Sequence, residues 1–191
     1  MRKQSRDRYM ILGALQAAAV SCATADAETA RNDNEQSTEL AIVDQERWRA
    51  YPASDDPLPD HQPETIRCNS AGVYLTPLSI RPELEIETAY CNYPLLYSEA
   101  LRSVARGAQV SFEVRHFELL SDQPAHAHVA LFFDQTLTWE TYIDIPSEPE
   151  VTLYSWRTEQ ELQVGAPVRL HLHNHGQNTW LIGKLTTVQT R

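Results

Sequence analysis

From Val168 to Gly176 the chain reads Val-Arg-Leu-His-Leu-His-Asn-His-Gly, with apolar residues alternating with Arg and His as far as His173. A period of two excludes a helix, whose apolar positions recur every three or four residues. It predicts a strand with Val168, Leu170 and Leu172 on a core face. His171, His173 and His175, three of the seven histidines, then form one row on the other face. Consecutive members of such a row lie roughly 6.5 to 7 Å apart along the strand, so imidazoles can converge on one ion at about 2.0 to 2.1 Å Zn–N.

The same period organises the rest of the second half. Gly107-Ala108-Gln109-Val110-Ser111-Phe112 and Gly165-Ala166-Pro167-Val168-Arg169-Leu170 share a pattern of Gly-Ala-x-Val-x-apolar. This is a glycine turn feeding a half-buried strand, used twice. Further strands are predicted at 72–76, 84–88, 95–97, 125–133, 138–145 and 151–156, rich in β-branched and aromatic types and separated by Pro, Gly, Asp and Ser. One short window, Glu99 to Arg106, has the composition for a two-turn helix. Eight or so short strands over residues 68–191 predict an all-β domain, an antiparallel β-sandwich of jelly-roll or cupredoxin-like topology.

The N-terminus carries an address. Arg2, Lys3, Arg6 and Arg8 precede a short apolar run from Tyr9 to Val20, too short to span a bilayer and laid out as a secretory signal over residues 1–21. Ala19-Val20-Ser21-Cys22 resembles the lipobox of bacterial lipoproteins. That resemblance implies cleavage before Cys22, lipidation of its thiol and anchoring in the cell envelope, as an outer-membrane lipoprotein. Cleavage after Ala25-Asp26-Ala27 would instead release a periplasmic or secreted protein. Either route leaves Cys68 and Cys91 as an even pair in an oxidising compartment, which predicts a disulfide. Residues 22–67 hold eleven acids, four bases and Pro52, Pro57, Pro59 and Pro63. They read as a flexible acidic tether. Within it Leu40 to Val43, with Trp48 and Tyr51, forms either a short docked element or an apolar patch in a linker.

Charge removes some partners. The formal net charge is −10, falling to −13 once residues 1–21, with four bases and one acid, are gone. Without a basic patch no counterion-release contribution can hold a nucleic-acid backbone.

Two functional classes remain. One is a metal protein. His126-Ala127-His128 repeats the His-x-His pattern, and matching strand faces would gather these with His171 and His173, while His116 and His175 are further candidates for Cu or Zn. His171-Leu172-His173-Asn174-His175 resembles the His-Leu-His-Gly-His segment of multicopper oxidases, which implies copper binding by the row. Outward histidines on half-solvated strands are the competing reading. The other class is a non-enzymatic binding module for a glycan or an envelope protein. Trp139, Tyr142, Tyr154, Trp156 and Trp180 would supply stacking faces, and Asn174, Gln177 and Asn178 a polar rim, unless those rings are core residues. Gly-x-Ser-x-Gly, His-Glu-x-x-His and phosphate-loop patterns are absent from the sequence.

Overall fold

The computed structural model describes residues 38–58, 60, 62–76 and 83–189, with Gln189 described by its backbone alone. The expected signal segment, Cys22 and the Ala25 to Ala27 cleavage site lie outside the described residues. Eleven strands run through the described chain: β1 (Thr38–Ala41), β2 (Arg49–Tyr51), β3 (Val73–Leu75), β4 (Leu84–Glu87), β5 (Leu95–Glu99), β6 (Gln109–His116), β7 (Ala125–Phe133), β8 (Thr136–Ile145), β9 (Glu150–Arg157), β10 (Pro167–His173) and β11 (Thr179–Gln189). They form two sheets, β3-β4-β11-β6-β9 with β1 also on β11, and β2-β5-β10-β7-β8. Every pairing is antiparallel. From β4 onward the strands switch between the sheets except at the β7–β8 hairpin, giving two four-stranded sets, β4-β11-β6-β9 and β5-β10-β7-β8. That is the strand order of a jelly roll, which decides between the two expected topologies.

The alternation that predicted the strands also builds the core. Val110, Phe112 and Val114 of β6, Ala127, Val129, Leu131 and Phe133 of β7, and Val168, Leu170 and Leu172 of β10 pack together from the two inner faces. The repeated Gly-Ala pattern enters opposite sheets. Gly107 and Gly165 both take positive φ (82° and 77°), the conformation glycine adopts without steric cost. Behind each glycine lies a fully buried valine, Val110 or Val168.

Three expectations are corrected. The tether does not extend to residue 67 as unfolded chain: β1 joins the first sheet, β2 edges the second, and Ile42, Val43 and Trp48 are buried. Few apolar residues suffice because each fills the core between the sheets rather than a surface patch. The window 99–106 is not helical. Glu99 completes β5, and Val104 pairs with Leu162 in an isolated bridge, so burial of Val104 and Leu162 overrides local propensity. Thirdly, β11, the longest strand, is not among the strands that the sequence predicts. A bulge between Ile182 and Leu185 breaks its alternation.

Cys68 and Cys91 are disulfide-bonded, as the cysteine count predicts. Next to the bridge, Asn92 Oδ1 accepts from Arg67 N at 2.8 Å and Asn92 Nδ2 donates to Thr65 O at 3.0 Å, so the 65–68 stretch is clasped to the start of β5.

Candidate functional site

At one end of the sandwich the β10–β11 loop (174–178) meets the β4–β5 turn at Thr88 and the β6–β7 loop at Leu120. The junction is held by buried amides. Asn174 Nδ2 donates to Thr88 Oγ1 (3.0 Å) and to His175 O (2.9 Å). Asn178 Nδ2 donates to His175 O (2.8 Å), while Asn178 N donates to Thr88 Oγ1 (2.7 Å). Asn178 Oδ1 accepts from Leu120 N (2.7 Å), and the Trp180 indole N–H donates to Asn174 Oδ1 at 3.2 Å. Each polar atom removed from water thereby regains a partner, which is what burial demands.

Of Asn174, Asn178 and Trp180, the ligand-binding residues expected from the sequence, only Asn174 borders the cavity described below. The three are 3%, 2% and 0% exposed and form the frame of the loop. Asn and Trp side chains look alike in sequence whether they meet a ligand or a neighbouring backbone; the distinguishing fact, a Thr88 hydroxyl at the centre of the network, comes from 86 residues upstream.

What the frame presents is a cavity of about 860 Å³ bordered by Arg67, Asn92, Ser121, Asp122, Gln123, His173, Asn174, His175 and Gln177, with Pro63, Leu120, Pro124, Ala125 and Gly176 completing its walls. Hydrogen-bonding groups dominate the lining. His175 and Gln177 are exposed at its rim, and the clasp through Asn92 places Arg67 beside it. Of these residues His173, Asn174, His175 and Gln177 are the ones the sequence pointed to. Arg67, Asn92 and the 121–123 loop lie far away in the chain and carry no local signal.

The histidines divide. β7 and β10 are neighbours, with His173 directly opposite His128, so the two His-x-His strands do present matching faces. Rings follow one another across that face: Tyr142 stacks on His128 (4.4 Å between centroids, 12° between planes), His128 meets His171 (5.0 Å), Tyr93 touches His171 (5.0 Å) and His173 (5.5 Å), and His173 meets His175 (4.8 Å). Convergence is missing. Among the described residues no group of three His, Cys, Asp or Glu is placed to hold a metal ion. The expected six-histidine set is therefore corrected on geometry. His116 sits in the other sheet, its ring on Trp180 and its Nδ1 2.8 Å from Phe117 O. His126 is exposed beside Asp144, with Nδ1 to Oδ1 at 2.8 Å. His128 Nε2 is 2.9 Å from Glu140 Oε2.

His171 departs furthest from expectation. It does lie opposite the core leucines, yet it is fully buried, because the chain after β2 crosses over that face. His171 Nδ1 lies 2.6 Å from Asp56 Oδ2, both side chains wholly inaccessible to solvent. Burial pushes the Asp56 carboxyl up, but the hydrogen bond and charge of His171, with the Leu58 N–H and the Tyr93 hydroxyl, outweigh it and hold it below the ordinary carboxylate value. An ionised carboxylate has only acceptors, so Nδ1 of His171 carries the proton in this pair. The Tyr93 hydroxyl lies 3.2 Å from Leu58 O as well, so its single proton is shared between that carbonyl and the carboxylate. Its own pKa is raised, first by burial and then by the Asp56 charge.

The aromatic candidates split between core and surface. Trp139, Tyr154 and Trp156 pack together over Phe112 where the edges β8 and β9 approach, with Trp139 and Trp156 stacked at 5.6 Å. They close the seam of the sandwich. Trp180 is core, and Tyr142, 54% exposed, is on the surface.

No protein-family model and no curated protein matches this chain. Among solved structures it is similar to a carbohydrate-binding module described for mannan recognition (TM-score 0.45, 7% identity, 81% of this chain and 98% of that one). It is also similar to a family 11 carbohydrate-binding module from Clostridium thermocellum in complex with a mixed-linked tetrasaccharide (0.44, 9%, 78% and 94%). A third is a cleaved adhesin domain of Lys-gingipain from Porphyromonas gingivalis (0.41, 12%, 80% and 99%). These are likenesses of overall arrangement, and neither a ligand nor an activity passes from them to this chain.

Proposed function

We propose that the protein is an exported, lipid-anchored β-sandwich module of the bacterial cell envelope that binds a glycan in the end cavity. The observation that carries the binding is the lining itself. A concave site of this size is in the usual range for small ligands, but such sites are mostly apolar, whereas this one offers amides, a carboxylate, imidazoles and a guanidinium around a few prolyl and alkyl walls. Planar groups of that kind hydrogen-bond neighbouring hydroxyls, and the apolar walls fit the C–H faces of sugar rings. The export and anchoring rest on the signal-like first 21 residues and the lipobox-like Cys22. The acidic charge favours a neutral ligand over nucleic acid. The histidine-ligated alternative, a Cu or Zn protein, has ring proximity in its favour but no converging set of three.

The binding test is titration of the protein with a panel of envelope oligosaccharides, followed by the amide NMR signals. His175→Ala and Gln177→Ala, both at exposed positions, should weaken binding about tenfold, one hydrogen bond to a ligand amounting to about 1.4 kcal/mol. Their melting temperatures should match the wild type. Signals that move elsewhere, or binding unaffected by both changes, would remove the cavity from consideration. The anchor is tested by detergent-phase partitioning. Wild type should enter the detergent phase and Cys22→Ala the aqueous phase; equal partitioning into water would show a soluble protein.

A further inference from the structure

The exposed edge of the first sheet offers a second surface. Among the described residues β9 pairs with β6 alone, leaving the other side of an eight-residue strand, Glu-Val-Thr-Leu-Tyr-Ser-Trp-Arg, without a neighbour in the sheet. Edge strands usually carry devices against pairing with another chain: an interior lysine, a proline, a bulge or a charge. The other long edge, β8, has Glu140 and Asp144 inside it and a bulge opposite β7. β9 has none of these between its ends, and its register with β6 runs unbroken from Glu150 to Arg157. Its outward face instead shows Val151 and Leu153, 68% and 63% exposed. Single exposed apolar residues need no explanation, but two in succession on an unprotected edge form the start of a patch.

The strand is complementary to itself. We propose that β9 pairs antiparallel with β9 of a second copy, joining the two first sheets across a two-fold axis at Leu153. In an antiparallel ladder, residues directly opposite share a face, so the outward positions 151, 153, 155 and 157 must meet outward positions. Centring on Leu153 satisfies that rule. It sets Leu153 opposite Leu153, Val151 opposite Ser155 and Arg157 opposite Pro149. Val151 and Leu153 of both copies then make one continuous apolar patch. The basic end of each strand, Arg157, lies near the acidic end of the other, Glu148 and Glu150, all three exposed, with Glu150 on the opposite face of the ladder. Opposite charges at the two ends of one strand favour the antiparallel arrangement and penalise the parallel one, in which like ends would meet. A second copy is the occupant that matches both the apolar centre and the charged ends. The pairing is isologous, so it closes at a dimer.

The test uses the protein as produced, solubilised in detergent if it is lipid-anchored. Leu153→Cys should form a disulfide-linked dimer on mild oxidation, since the axis places the residue opposite itself. Lys184→Cys, exposed on β11, should not. In sedimentation the wild type should run as a dimer. Leu153→Lys should raise the dissociation constant at least tenfold, and Arg157→Glu should raise it less, because it changes only the end-to-end charge complementarity. All these positions are exposed, so circular dichroism and melting should show each variant folded. A wild type that stays monomeric at the highest concentration reached would overturn the proposal. So would a Leu153→Cys protein that does not link to itself, or one that links to a different protein.

Discussion

Asp56→Ala should cost about 3 kcal/mol of stability, as expected when one member of a buried hydrogen-bonded pair is removed and the polar group of the other is left unsatisfied. The cost is comparable to Leu172→Ala, for which lost burial and a residual cavity give about 2 to 5 kcal/mol. His171→Ala should be equally damaging, contrary to what an outward imidazole would imply. The double variant should lose clearly less than the sum of the two, because no buried polar group is then left without its partner. Urea melts of the four proteins give the cycle. A loss below about 1 kcal/mol in Asp56→Ala would mean that the pair does not fix the chain after β2 to the sheet. The pH dependence has a definite sign. Since the folded-state pKa of Asp56 is depressed, its contribution is fully present above the ordinary carboxylate value of 3.8 and is lost as pH falls through the lower folded value. Acid titration of stability should therefore show a loss below pH 3.8 that is missing in the double variant.

Gly176→Ala should be the most damaging change in the cavity. Gly176 has φ +85°, and a Cβ built there would stand 1.9 Å from the backbone oxygen of Leu120. Two costs add: the left-handed backbone conformation and an overlap that no side-chain rotation relieves. Together they come to about 2 to 5 kcal/mol. Relief requires the 174–178 and 117–124 loops to separate, which would also open the cavity they line. Gly107→Ala and Gly165→Ala share the positive φ but meet nothing within 4 Å, so each should cost only about 1 to 2 kcal/mol. Thermal melts, with oligosaccharide titrations beside them, separate the two effects. A Gly176→Ala protein as stable as Gly165→Ala, with binding intact, would show that the two loops are not in fixed contact.

The sheets were legible because burial on one face writes a period of two into the sequence. Leu170 and Leu172 point where alternation puts them, and Ala125 to Phe133 forms β7 from end to end. Alternation, however, reports which residues share a face and not what covers it. His171 obeys the pattern and is still inaccessible, since its cover, Asp56, arrives from 115 residues away in a stretch whose prolines and acids suggested an unfolded linker. The cavity was legible in part for the same reason. His173, Asn174, His175 and Gln177 stand in or beside the histidine row itself, while Arg67 reaches the site through a disulfide and an Asn92 clasp that no local motif encodes. Metal binding was suggested by counting histidines. Whether ring nitrogens converge depends on rotamers and neighbours such as Glu140 and Asp144, which sequence spacing does not specify.

The route of the chain through its first described residues has a mechanical consequence. A pull on the polypeptide ahead of Thr38 would load β1 along its ladder with β11, then draw on Ile42 and Trp48, whose side chains lie between the sheets. Past these it would meet the Asp56 and His171 pair, and finally Cys68, where the bridge to Cys91 transfers the tension directly to the start of β5. The segment from 69 to 90, with β3 and β4, would be bypassed and could not be drawn out. Traction from that end would thus be resisted in stages, with the disulfide as the final stop.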